Sequence, residues 1–179
     1  MNKYEMERMP QMKETIGEKA DSLMNVRLKY IENLLESEKN SVRKDFGLAL
    51  EQLMADRKEG SLVISFLRSS YILNSHEFYI AFYEEEPFVE EEPACIYFSM
   101  EKVFDGIEED WRELDAALHQ HFIQIISGEK AEIHRWYTER LYAALGSVIK
   151  KMIEDMGNDR GIPVYYGCYM EEIKGIGYI

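Results

Sequence analysis

Phe78-Tyr79-Ile80-Ala81-Phe82-Tyr83 is the run on which the fold turns. Phe78, Ile80 and Phe82 fall on one side of an extended chain, and Tyr79, Ala81 and Tyr83 fall on the other. This period of two predicts a β-strand. Upstream, Asn74-Ser75-His76 has the composition of a turn, because Asn and Ser hydrogen-bond their own backbone. Before it, Leu62 to Leu73 is rich in Val, Ile, Phe and Tyr. Its alternation is only moderate, so strand and helix both stay open there, with strand preferred. Downstream, an acidic connection from Glu84 to Pro93 leads into Ala94-Cys95-Ile96-Tyr97-Phe98, a further predicted strand. Three sequential strands with short connections predict an antiparallel meander.

Outside this meander the period changes to that of helices. In the first 58 residues, Met12, Ile16, Ala20, Leu23, Tyr30, Ile31, Leu34 and Leu35 recur near every 3.6 residues, with charges between them. A soft break at Ser37 to Ser41 offers Asn40 or Ser41 as a cap for a second helix carrying Val42, Phe46, Leu50, Leu53 and Met54. The arm is thus one long helix or a helical hairpin. Its apolar stripe must be buried on the rest of the chain or on a second copy, because burial supplies most of a helix's stability.

After the meander, Asp105 with Glu108 three residues on marks a helix start. The helix it opens is expected to bury Trp111, Leu114, Leu118, Phe122 and Ile125 and to end at Ser127-Gly128. A second helix, from about Glu129 to Met156, carries a wide stripe through Ile133, Tyr137, Leu141, Leu145, Ile149 and Met152. Pro163 to Met170 alternates again and reads as a final strand. Gly175-Ile176-Gly177 reads as a turning tail, since no helix follows the two glycines. The class expected is α+β, with an N-terminal helical arm over residues 1–58 and an α+β domain over residues 59–179 forming one cooperative unit.

Composition narrows the function classes. The 179 residues carry a formal net charge of −13. That sign disfavours the phosphate backbone of a nucleic acid and an anionic membrane surface, both of which select clustered Lys and Arg. It leaves a basic protein partner open. No run approaches the length of a membrane-spanning helix, and Met1 to Arg8 lacks the apolar core of a secretion signal. Cys95 and Cys168 read as separate reduced thiols of a cytoplasmic protein. The charge is also concentrated: Glu84 to Asp115 holds thirteen acidic and two basic residues, a net of −11.

The search for chemistry gives few candidates. His119 and His121 are set two apart on a helix, which turns their rings to different faces and spoils chelation; His134 has no spacing that demands a metal. No nucleophile elbow, thiolate motif or phosphate-cradling glycine loop is present, and no cofactor is expected. Arg68, if its run is a strand, shares parity with Leu62, Ile64 and Phe66 and points to the apolar side. There it bridges to a Glu on a neighbouring element or, at an edge, reaches water with its head; alternatively it binds an anion in a ligand pocket with Tyr79, Tyr97 or Tyr166 nearby. The leading expectation is a non-catalytic interaction or regulatory module that self-associates through residues 1–58. Its basic protein partner would meet the triplets Glu84-Glu85-Glu86 and Glu90-Glu91-Glu92. A sensor or enzyme with the Arg68 pocket is the alternative.

Overall fold

A computed structural model describes residues 3–37, 41–89, 92–157 and 159–179. Among them six α-helices and one five-stranded mixed sheet form an α+β fold. The helices are α1 (Lys3–Thr15), α2 (Gly17–Glu36), α3 (Ser41–Leu53), α4 (Arg68–Leu73), α5 (Ile107–His121) and α6 (Ser127–Met156). The strands are β1 (Ser61–Phe66), β2 (Glu77–Tyr83), β3 (Ala94–Ser99), β4 (Pro163–Cys168) and β5 (Ile173–Tyr178). No described helix is long and apolar enough to cross a membrane.

The meander expected from sequence is present: β1 pairs antiparallel with β2, and β2 with β3. The sheet order is β3-β2-β1-β4-β5. β4 returns beside β1 in parallel after the α5–α6 excursion, which makes β1 the central strand. A central strand buries both sides, and every residue from Ser61 to Phe66 is buried.

The alternation of β2 sorts the core into two clusters. Phe78, Ile80 and Phe82 join Leu62, Ile64 and Phe66 under the helices, in one large apolar body. Tyr79, Ala81 and Tyr83 join Val63 on the opposite face, where Leu67, Phe88, Tyr165, Tyr169 and Ile173 pack on them and, among the described residues, no hydrophobic side chain of a helix does. All of the long helices therefore lie on one side of the sheet. The other side is an aromatic surface roofed by turns.

The N-terminal arm is spent inside the chain. Met12, Ile16, Ala20, Leu23, Ile31 and Leu35 are buried in the main core, as are Val42, Phe46, Leu50 and Met54 of the following segment. α1 and α2 pack against α5, and α2 also packs against α6. Tyr30, which falls on the predicted stripe, is 44% exposed. α1 and α2 meet at Ile16, where Ile16 N–H still reaches Met12 O and Ala20 N–H still reaches Ile16 O. Of the expected caps, Asn40 lies outside the described residues, and Ser41 is the first residue of α3.

Four local expectations are corrected. Leu62 to Leu73 divides: the strand stops at Phe66 and the chain enters the short helix α4. Ser70 holds that change of direction, its Oγ donating to Glu77 O at 2.7 Å and its carbonyl accepting from Asn74 N–H, with Asn74 in the left-handed region. Asp105 does not cap α5; Gly106, at φ 80°, occupies that position. Gly128 does not close α5 but stands in the first turn of α6, where the Glu129 carboxylate accepts from Ile126 N–H at 3.0 Å. The glycine-containing tail is not a free turn but the edge strand β5, antiparallel to β4 with a bulge opposite Val164/Tyr165.

Candidate functional site

The residues singled out in sequence are distributed over both faces of the sheet. Arg68 is the first residue of α4, with its side chain 66% exposed, and it forms an ion pair with Glu171 in the turn after β4. It does not point into the core, because the alternation that would have carried it there ends two residues earlier. Tyr79 and Tyr97 are cross-strand neighbours on the face without helices, with ring centroids 5.5 Å apart. Tyr166 lies on the other face, buried against Gly146 and α6, and its hydroxyl donates to Tyr142 O. Only Tyr79 and Tyr97 of these four meet.

The aromatic face has its own logic. Tyr79 stacks edge-on against Tyr169 at 5.1 Å, and Tyr169 in turn meets Phe88 at 5.8 Å. Phe88 also sits 5.7 Å from Tyr83. Edge-to-face contacts of this kind add to the burial of the rings. Burial raises the Tyr79 hydroxyl pKa, reinforced by the neighbouring Cys95 thiol, so its proton stays on at neutral pH. Beneath the rings, Ser61 Oγ and Ser65 Oγ of β1 are buried without a hydrogen-bond partner.

Phe88 explains how the acidic connection is held. It stands at φ 66°, an uncommon region for a bulky residue, and its ring is seated on Tyr83 and Tyr169. Glu84, Glu85 and Glu86 leave β2 exposed on one side of this anchor, and Glu92 is exposed on the other. Glu90 and Glu91 lie outside the described residues. Glu84, Glu85, Glu86 and Glu92 are therefore exposed at the ends of β2 and β3, on a connection held by the Phe88 ring.

The histidines go elsewhere. His119 and His121 are exposed near the end of α5. His134 stacks on Trp111 at 5.0 Å and meets Asp115 through Nε2 at 2.9 Å. No group of three or more metal-ligating side chains exists among the described residues. Cys95 is exposed on β3 and Cys168 is buried on β4. Two strands separate them, about 14 Å at the usual strand spacing, and they face opposite sides of the sheet, beyond the reach of a disulfide.

Two buried polar constellations gave no signal in sequence. His76, at φ 51°, stacks on Phe104 at 4.2 Å and places Nδ1 3.3 Å from the Tyr142 hydroxyl. Burial lowers its pKa, against the pull of Glu101 and Asp105. In the second, Arg27 Nε donates to Asp110 Oδ2 at 2.9 Å, and the guanidinium also reaches the carbonyls of Asp105 and Gly106. The Tyr137 hydroxyl donates to the same Asp110 oxygen at 2.8 Å. This group ties α2, α5 and α6 together from positions far apart in the chain, so no local pattern could reveal it. No protein-family model matches the chain, and neither a curated protein nor a solved structure does, so the functional reading rests on its own residues.

Proposed function

We propose that the chain is a non-catalytic interaction module that binds a basic protein partner through the acidic β2–β3 connection and the adjoining aromatic face. One observation carries this reading. Phe88 anchors a connection whose flanking glutamates are exposed, so the negative charge is displayed at a fixed place rather than dispersed. The connection from Glu84 to Pro93 holds six glutamates and no basic residue. A field of one sign focused on one edge accelerates and orients encounter with an oppositely charged partner.

Self-association through residues 1–58 is not part of the proposal, because the apolar stripes that motivated it face the chain's own core. The Arg68 pocket is also set aside, since Arg68 is ion-paired at the surface and Tyr166 lies on the opposite face. Glu84, Glu85, Glu86 and Glu92, with Glu90 and Glu91, remain the partner-binding residues of the proposal.

The test is to replace both triplets, Glu84 to Glu86 and Glu90 to Glu92, by Gln and compare association with the native partner across salt concentrations. Binding that weakens with salt in the unmodified chain, and is lost in the Gln variant, supports the reading. Equal binding by both chains at all salt concentrations refutes it.

A further inference from the structure

We infer that β3 is a docking edge, to which an extended, Lys- or Arg-flanked segment of the partner adds as a sixth strand; this rests on the function proposed above and specifies its mode. The sheet has two edges, and they are built differently. β5 carries Lys174, two glycines and a bulge, while a helix packs on each edge strand, α6 on β5 and α3 on β3. A charged side chain and a bulge within the strand are devices by which sheet edges avoid pairing with other chains. β3, Ala94-Cys95-Ile96-Tyr97-Phe98-Ser99, has no charge, no proline and no bulge in its pairing with β2.

The hydrogen-bond register fixes which groups are on offer. Met100 N–H donates to His76 O at 3.0 Å, so this pair is a hydrogen-bonded one. In an antiparallel ladder such pairs alternate, and Ala94, Ile96 and Phe98 therefore turn their backbone groups toward β2. Cys95, Tyr97 and Ser99 turn their N–H and C=O outward. Among the described residues, no backbone group outside the sheet hydrogen-bonds β3. Side-chain exposure agrees with an open edge: Tyr97 is 64% exposed, and the core-facing Ala94, Ile96 and Phe98 are only half-buried, unlike their neighbours on β2.

Charge selects the occupant. A second copy offers no basic residue between Glu84 and Ser99, so it lacks the charge complementarity that orients a partner. An extended segment with basic residues at its ends meets Glu84 to Glu86 and Glu92 favourably instead. Its alternating side chains would lie beside Ile96 and Phe98 on one face and beside Tyr97 on the other. Main-chain hydrogen bonds then give affinity, and the two faces give selectivity.

The experiment uses the full chain and a synthetic peptide of alternating Val and Thr with two Lys at each end. Amide hydrogen exchange is followed residue by residue. With the peptide at ten times its Kd, exchange at Cys95, Tyr97 and Ser99 is expected to slow about tenfold. The same peptide N-methylated on alternate residues, which removes its pairing N–H groups, is expected to give no protection. Protection confined to residues 84–89 overturns the edge inference and leaves the electrostatic function standing. Protection of β3 that persists in the Gln-triplet variant and in high salt keeps the edge but removes the basic partner. No protection at millimolar peptide overturns the inference, as does a chain that is a dimer by sedimentation with these three amides already protected.

Discussion

Removing Asp110 tests the account of how the helical layer is held. Its carboxylate accepts from Arg27 and from Tyr137, and the two charged side chains are only 10% and 11% exposed. Asp110→Ala leaves the guanidinium with two backbone carbonyls and the Tyr137 hydroxyl with nothing. Breaking one partner out of such a buried pair costs about 3–5 kcal/mol. The lower half of that range is expected here, because the Asp105 and Gly106 carbonyls still bind Arg27. Tyr137→Phe removes one hydrogen bond to a charged group, about 1.5–3 kcal/mol, and again less because Arg27 keeps the carboxylate paired.

Replacing both charges, Arg27→Met with Asp110→Leu, separates pairing from packing. The double variant removes the uncompensated charge that makes each single variant costly, so it should lose much less than the sum of the two. A coupling of about 2 kcal/mol is expected in the cycle. Urea unfolding followed by fluorescence of Trp111 and Trp136, with circular dichroism as a second probe, measures each free energy. For a chain of this size a loss of 3 kcal/mol lowers Tm by about 6–12 °C. Additive single effects within about 0.5 kcal/mol would refute the reasoning.

Three further outcomes follow from the packing. Gly146→Ala places a Cβ 2.8 Å from Tyr166 Cδ1; overpacking of about 1–3 kcal/mol outweighs a helix-propensity gain near 1 kcal/mol, so stability should fall, and a more stable variant in urea speaks against the contact. His76 has its pKa lowered by burial from the ordinary 6.5. The unfolded chain therefore takes up the proton first, and stability present above pH 6.5 is lost as the pH falls toward the folded-state value. His76→Asn, which tolerates the same positive φ, should flatten that part of the Tm–pH curve, and an unchanged slope excludes His76 as its source. Phe88→Ala withdraws the anchor of the acidic connection; about 1–2 kcal/mol is expected for a half-buried ring, together with faster cleavage by a Glu-specific protease at Glu84 to Glu86. Unaltered cleavage would mean that the ring does not hold the connection.

What the sequence disclosed follows from how local each cause is. The alternation in Phe78 to Tyr83 and the helical stripes through Ile31, Phe46 and Tyr137 are set by neighbours within one or two turns, and all of these elements are present. The acidic concentration could be counted directly. The misses arise where distant partners decide. Arg68 to Leu73 has the composition of a strand, yet no strand is free to receive it beyond Phe66, and the Ser70 contacts to Glu77 and Asn74 fold it into a helical turn. Gly175 and Gly177 depress strand propensity, but β4 supplies a ladder and α6 a surface, so pairing overrides composition. Arg27 and Asp110 are 83 positions apart, and each looks like an ordinary polar residue of an amphipathic helix.

The same distinction bears on the candidate site. Its charge was legible because charge is additive along the chain, whereas its geometry depends on Phe88 reaching Tyr83 and Tyr169 across the sheet. Seating that ring holds the connection that displays the exposed Glu84, Glu85 and Glu86. On the binding mode proposed above, the absence of any protective charge on β3 itself has a physical counterpart: the neighbouring glutamates would favour a basic strand over an acidic copy of the chain. An edge guarded by its surroundings can keep its backbone groups available, which a lysine or bulge within the strand would not allow.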